Sequence, residues 1–296
     1  MEVNTQATDS PVRAAASVVM LRDGASGLEV FLLKRHGLSD VLGGAYVFPG
    51  GKVDLADAHA DLLAHLDTPA PALHAALHEP NLDHPAAAAL YVAALREAFE
   101  ETGVLYANGA GAQHAAQATS LLREGRAFDE VISLSRLQLA ASALQPWSRW
   151  ITPSVGGVMR KRFDTRFFLA VVPPGQVATH DNHEATESVW LTPRAALQQY
   201  WDGLIELAPP QIMSLSHLAG HVSADTALAE ARQRPPPVIL PEPFEHEGVR
   251  VICYPGDERH SVRERALPGP TRLHYRNRRF EPAGGVESLF AYIQSS

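Results

Sequence analysis

The stretch DHPAAAALYVAALREAFEETG, Asp83 to Gly103, decides the fold. Its spacing predicts a single helix. Asp83 or His84 is placed to cap the start, Pro85 suits the first turn, and Gly103 supplies the stop. Tyr91, Leu95, Ala98, Phe99 and Thr102 follow the i, i+4, i+7, i+8, i+11 rhythm of a buried stripe. Glu97, Glu100 and Glu101 stand at i, i+3 and i+4, so their carboxylates share the opposite face. Three like charges repel one another, and these lie in the last turn, where the helix dipole favours cations. A divalent cation among them answers both problems. An exposed, solvated acidic face is the plainer reading of the same spacing.

Upstream, Ala14 to Leu21 and Leu28 to Lys34 are β-rich runs around the turn Arg22 to Gly27, which predicts a hairpin. Ala45 to Phe48 reads as a short strand leading into Pro49-Gly50-Gly51, a turn where only small or rigid backbone fits.

REAFEETG, Arg96 to Gly103, followed by Val104, resembles the second half of the Nudix box, G-x5-E-x7-R-E-U-x-E-E-x-G-U with U aliphatic. The first half lies in FPGGKVDLAD, Phe48 to Asp57: Gly51 matches the opening glycine, and Asp57 stands where the family has Glu. The family places seven residues before its arginine. Here Ala58 to Leu95 intervene, 38 residues, so about 31 are inserted where a loop tolerates them best. The resemblance implies the Nudix α/β/α sandwich, with a mixed sheet between helices. It implies Mg²⁺ or Mn²⁺ held by Glu97, Glu100 and Glu101, with a backbone carbonyl, here Gly50, as a further ligand. It gives Arg96 the task of orienting the acids, with Asp57 paired to it in the outer site. The base that activates water is left open between a metal-site glutamate and a later-loop residue, Glu184 or Glu187.

The stretch Phe31 to Gly51 resembles the motif before the box in coenzyme A diphosphatases, with Arg35, Gly44 and Phe48 at its spacing. Its Thr is missing, and Asp40 stands where its second Arg belongs. The long insertion, WSRWITP from Trp147 and RFDTRFFLA from Arg162 resemble the peroxisomal branch of that group, over roughly 14–218. The implied reaction is hydrolysis of coenzyme A or acyl-coenzyme A to 3′,5′-ADP and a 4′-phosphopantetheine product. NADH, ADP-ribose or another nucleoside diphosphate derivative is the alternative substrate. A Nudix-fold binding module without turnover is the alternative class.

Arg35, Arg149, Arg160, Lys161, Arg162 and Arg166 supply cations suited to phosphate in an acidic protein; structural ion pairs are the bland reading. Arg35, Phe48, Gly51, Asp57, Arg162 and Arg166 are the substrate-side candidates. Trp147 and Trp150 could stack on adenine, although core packing is the commoner role. His74 and His78, at i, i+4, have a zinc-compatible spacing but no evident third ligand.

The 296 residues, with 46% hydrophobic and 20% charged, fit a soluble globular protein. The formal charge of −8 argues against general nucleic-acid affinity. Cys253 is the sole cysteine, so no intrachain disulfide can form and a reducing cytoplasm is expected. No apolar run reaches membrane-spanning length, the first residues lack a signal-peptide core, and the closing QSS is no peroxisomal address. A tail is expected over 1–13, the Nudix domain over 14–207 with its insertion near 58–85, and an extension over 208–296. The extension is expected to pack on the core or on a partner subunit, the latter giving a homodimer. Val104 to Ala107 reads as a strand, Phe128 to Leu139 as a helix, and Thr192-Pro193 as the cap of a helix running to about Leu207. The prolines and Gly156-Gly157 before the strand Arg166 to Val172 read as loop.

Overall fold

The computed structural model describes residues 11–37, 43–154, 161–181 and 184–291. Asp40, Gly156, Gly157, Arg160 and the first ten residues of the expected tail lie outside them. In chain order the main-sheet strands are β1 (Val12–Gly24), β2 (Gly27–Arg35), β3 (Tyr46–Val47), β4 (Gly50–Lys52), β5 (Gln145–Ile151), β6 (Arg162–Val171), β7 (Ala185–Leu191) and β8 (Val238–Ile239). The sheet order is β3-β2-β1-β6-β5-β8, with β4 joined to β1 and β7 to β2. The hairpin forms as expected, Leu21 facing Val30 and Gly24 facing Gly27. β1 runs parallel to β6 from Val12 opposite Arg162 to Leu21 opposite Val171, which makes the sheet mixed.

Alternation along β1 and β6 divides the core in two. Ala16, Val18, Met20, Phe168 and Ala170 pack on one side; Val19, Leu21, Phe167 and Leu169 pack on the other. The first side is covered by α1 (Ala60–Leu63), α2 (Ala70–Leu77), α3 (His84–Thr102), α4 (Ala112–Arg123) and α5 (Phe128–Ser135). The second is covered by α6 (Pro193–Trp201), α7 (Pro209–Leu218) and α8 (Ala224–Gln233). A second, antiparallel sheet joins them there: β9 (Glu242–His246), β10 (Val249–Cys253), β11 (Arg272–Arg276) and β12 (Arg279–Glu281). The architecture is the α/β/α sandwich, with residues past 208 sharing the second core through Ile212, Leu228, Ile252, Leu273 and Phe280. The Tyr200 hydroxyl donates to the Phe280 carbonyl at 2.9 Å and ties α6 to β12.

α3 follows its capping chemistry. The Asp83 carboxylate accepts from the Ala86 N–H at 2.7 Å, and Gly103 closes the helix at φ 71°. Tyr91, Leu95, Ala98, Phe99 and Thr102 are all buried.

Four local expectations are corrected. Residues 104–107 are not a strand: the Gln176 amide side chain accepts from the Leu105 N–H and donates to its carbonyl, taking the place of a neighbouring strand. The segment read as loop before β6 contains β5, whose Pro146 falls at a register shift. α5 stops at Ser135 because Arg136 turns left-handed at φ 52°, and α6 ends at Trp201, two residues before Gly203 at φ 76°. His74 and His78 do not share a point. His78 leaves α2 at φ 55°, while the His74 ring meets the Glu79 carbonyl at 2.9 Å and packs on His84. Among the described residues, no helix is long and apolar enough to cross a membrane.

Candidate metal and diphosphate site

Arg96 is the hub. Its Nε and Nη2 donate to the two Asp57 oxygens at 2.8 and 3.0 Å. Its Nη1 donates to Glu97 at 2.8 Å and Glu100 at 2.9 Å, and Nη2 also reaches the Lys52 carbonyl at 3.1 Å. Asp57 is fully buried in a short 3-10 turn, Leu55–Ala58, and accepts from the Asp54 N–H at 2.8 Å. Asp57 and Arg96 therefore meet despite the 38 residues between them. The insertion allows this because Leu62, Leu66, Leu73 and Leu77 pack it against the core beside α3, so the chain leaves and returns over the same helix.

The glycine turn brings backbone against the acids. The Gly50 N–H donates to Glu101 at 2.9 Å. At φ 156°, a Cβ on Gly50 would land on the backbone of Ala16 and Ser17, and one on Gly51 would land on the Glu97 carboxylate. The turn is pinned to β1: the Pro49 carbonyl accepts from the Val18 N–H at 2.8 Å and the Ser17 hydroxyl at 2.9 Å.

One guanidinium does not balance this set. Burial, together with the neighbouring Glu100 and Glu184 charges, pushes Glu97 up to about 7 in spite of Arg96. Burial and the Glu97 charge push Glu101 up to about 8, with the Gly50 N–H and Arg35 opposing. Burial also raises Glu100, again against Arg96. Burial by itself would lower Arg96, but Asp57, Glu97 and Glu100 hold it above its ordinary value.

Gly50, Gly51 and Glu97 open onto a cavity of about 530 Å³ between the start of β1, β6, α7 and the second sheet. Arg35, Phe48 and Glu184 also line it, as do three cations outside the substrate-side candidates, Arg13, Lys52 and Lys161. Glu184 stands 3.6 Å from Arg35. Glu187 does not line this cavity; it is half exposed and pairs with Lys34 at 3.4 Å. Arg162 and Arg166 also stay out of it, because they alternate along β6 with the cavity residues Phe163, Thr165 and Phe167. Arg162 donates to the Thr152 carbonyl at 3.2 Å. Arg166 forks onto Glu79 at 2.9 and 2.5 Å, and Arg149 forks onto Asp164 at 2.8 and 2.7 Å. Arg149 also reaches Glu79 at 2.8 Å. Asp57 touches Arg96 rather than the cavity. Trp147 is buried against His217, whereas Trp150 lines the cavity, its ring edge-on to Tyr254.

The donor set fits a hard divalent cation: carboxylate oxygens, two of them proton-loving at neutral pH, with a glycine backbone against them. Glu97, Glu100 and Glu101 are the residues that would hold it. Arg96 keeps Glu97 and Glu100 oriented, and the Gly50 N–H does the same for Glu101.

The model of the NUDT19 Nudix domain matches residues 6–218. The chain belongs to this Nudix family. It is 30% identical over 232 residues to "Acyl-coenzyme A diphosphatase NUDT19" of Xenopus laevis, covering 67% of this chain and 61% of that protein. To the Homo sapiens protein of the same name it is 30% identical over 277 residues, covering 79% of this chain and 72% of that one. Among solved structures, a NUDIX hydrolase from Alicyclobacillus acidocaldarius superposes with a TM-score of 0.60 at 28% identity. That match covers 75% of this chain and 97% of the other. The Nudix fold of the described residues agrees with the family.

Proposed function

We propose that this Nudix chain hydrolyses the diphosphate bond of coenzyme A or acyl-coenzyme A, with Mg²⁺ or Mn²⁺, to 3′,5′-ADP and (acyl-)4′-phosphopantetheine. The observation that carries the reading is an acid cluster anchored by Arg96 and Gly50 beside a cavity whose walls are largely apolar. Phe48, Trp150, Phe163, Phe167 and Ile252 suit a pantetheine or acyl arm, and Arg13, Arg35 and Lys161 suit the phosphates. The names of the frog and human relatives support the same substrate class.

Held by Glu97, Glu100 and Glu101, the cation would supply charge neutralisation to the anhydride and would acidify a nearby water. Arg96 holds Glu97 and Glu100 in place throughout, so those acids need not reorganise as charge moves. The Gly50 N–H fixes Glu101. Glu184 accepts the proton of the attacking water: it lines the cavity and lies outside the Arg96 grip. The apolar walls exclude competing water around the arm of the substrate.

The test is a hydrolysis panel of coenzyme A, dephospho-coenzyme A, an acyl-coenzyme A, NADH and ADP-ribose, with each metal and products identified by mass. Release of 3′,5′-ADP from coenzyme A, in preference to cleavage of dephospho-coenzyme A, is the expected result. Preference for NADH or ADP-ribose would overturn the substrate assignment while leaving the chemistry. Turnover of none of them would overturn both.

A further inference from the structure

His217 and His221 stand at i, i+4 across the C-terminal end of α7, and Glu230 reaches them from α8. His217 Nε2 lies 2.8 and 3.1 Å from the two Glu230 oxygens, and His221 Nε2 lies 2.9 Å from Oε2. Among the described residues this is the one group of three His, Cys, Asp or Glu side chains whose donor atoms all fall within 4.8 Å of one another. We propose that these three residues form a second metal site, separate from the acid cluster of α3, for a transition-metal cation of the zinc class.

Three features support it. The first is spacing. In a tetrahedral zinc site with bonds of ~2.0–2.1 Å, neighbouring donor atoms lie roughly 3.3 Å apart. The Glu230 Oε2 contacts of 3.1 and 2.9 Å with the two rings need only a few tenths of an ångström of expansion. The second is support around the ligands. The His217 ring packs against the Trp147 indole at 5.2 Å, which fixes its orientation. Arg234 donates from Nε to Glu230 Oε1 at 2.8 Å, so that oxygen stays anchored while Oε2 serves the ion. The third is the electrostatic setting. The carbonyl end of α7 favours a cation, and two imidazoles with one carboxylate suit zinc better than magnesium. Ligation through Nε2 requires neutral rings with their proton on Nδ1.

The site would brace the main cavity from behind. α7 supplies Pro209, Pro210 and Gln211 to the cavity wall, and His217 lies about 9–12 Å further along the same helix. An ion shared with Glu230 would clip that helix to α8, whose Ala224, Ala227, Leu228 and Ala231 already pack into the same core. The proposal does not depend on which diphosphate the protein cleaves.

The experiment uses the metal-stripped full chain in millimolar Mg²⁺, which occupies the acid cluster without competing for imidazole. Zn²⁺ is titrated against a chromophoric chelator, and Co²⁺ is added separately to read the coordination spectrum. The expected result is one Zn²⁺ per chain, an intense four-coordinate Co²⁺ spectrum, and a zinc-dependent rise in Tm. His221→Ala and Glu230→Gln should each weaken Zn²⁺ by more than about 100-fold, beyond the effect of removing a supporting contact. Glu101→Gln should leave the titration unchanged. Each variant's Tm is read with and without zinc, so a variant that is merely less stable still reports on the ion. Unaltered zinc binding in both His221→Ala and Glu230→Gln would overturn the site, as would zinc binding abolished only by Glu101→Gln. Failure of the wild-type chain to bind zinc would reduce the cluster to a hydrogen-bonded clip.

Discussion

At the C-terminal end of α3 one guanidinium, Arg96, faces five carboxylates: Asp57, Glu97 and Glu100 in hydrogen-bond contact, Asp54 at 3.9 Å, and Glu101 beside them. Near the start of the same helix Arg149 and Arg166 face two, Glu79 and Asp164. The second group is closed: two positive charges meet two negative ones in bidentate geometry along the wall of a cleft of about 820 Å³. The first is open: burial and mutual repulsion push Glu97 and Glu101 to about 7 and 8. Charge balance, rather than the number of charges, separates a structural network from a site that can take up a cation.

The largest test of that contrast is Glu101→Gln. It keeps the shape and the Gly50 contact but removes charge, and should lower kcat about 10³-fold, the equivalent of several kcal/mol of transition-state stabilisation. A steady-state assay with saturating Mg²⁺ measures it. Undiminished turnover would remove the acid cluster from the chemistry. Next comes Glu184→Gln, expected to lower kcat about 10²-fold with little change in KM. An unchanged kcat would return the base to the α3 glutamates.

The closed group should behave in the opposite way. Arg166→Met leaves Glu79 and Asp164 with one guanidinium, and should cost about 3 kcal/mol in a urea melt while kcat stays within about twofold. Lost turnover in a protein that still folds would give Arg166 the substrate role that its sequence position suggested.

The smallest effect concerns pH in the metal-free protein. Glu97 and Glu101 hold their protons more tightly folded than unfolded. Their contribution to stability is therefore full below about pH 4.5 and is lost as pH rises through about 7 and 8. Thermal melts from pH 5 to 8.5 should show a falling Tm that Mg²⁺ reverses and that Glu101→Gln reduces. A Tm that rises across that range in parent and variant alike would contradict it.

Much of this was legible because local and tertiary signals agreed. Asp83, Pro85 and Gly103 bounded α3, and its buried stripe followed from spacing alone. Asp57 found Arg96 because the insertion pays its way in apolar residues such as Leu62 and Leu73, which no box pattern describes. Other features depended on partners distant in sequence. Residues 104–107 look like a strand, yet the backbone of Leu105 pairs with the Gln176 amide 71 positions away. Pro146 masked β5, since a proline inside a run argues against a strand until the bulge beside it is seen. Arg162 and Arg166 were assigned by charge, and the parity of β6 turned them from the cavity. Arg13 carried no motif to mark it, and Lys161, singled out only by its charge, stands one residue before β6; strand parity along β1 and into β6 gave a usable signal for both. The HxxxH spacing of His74 and His78 recurs at His217 and His221, where the third side chain of the cluster, Glu230, comes from the next helix and so leaves no mark in the local sequence.

The most direct test of the account is to measure product-resolved coenzyme A hydrolysis by the parent chain, Glu101→Gln and Arg166→Met side by side in Mg²⁺. The parent and Arg166→Met should release 3′,5′-ADP at similar rates while Glu101→Gln does not. Activity retained by Glu101→Gln and lost by a folded Arg166→Met would contradict it.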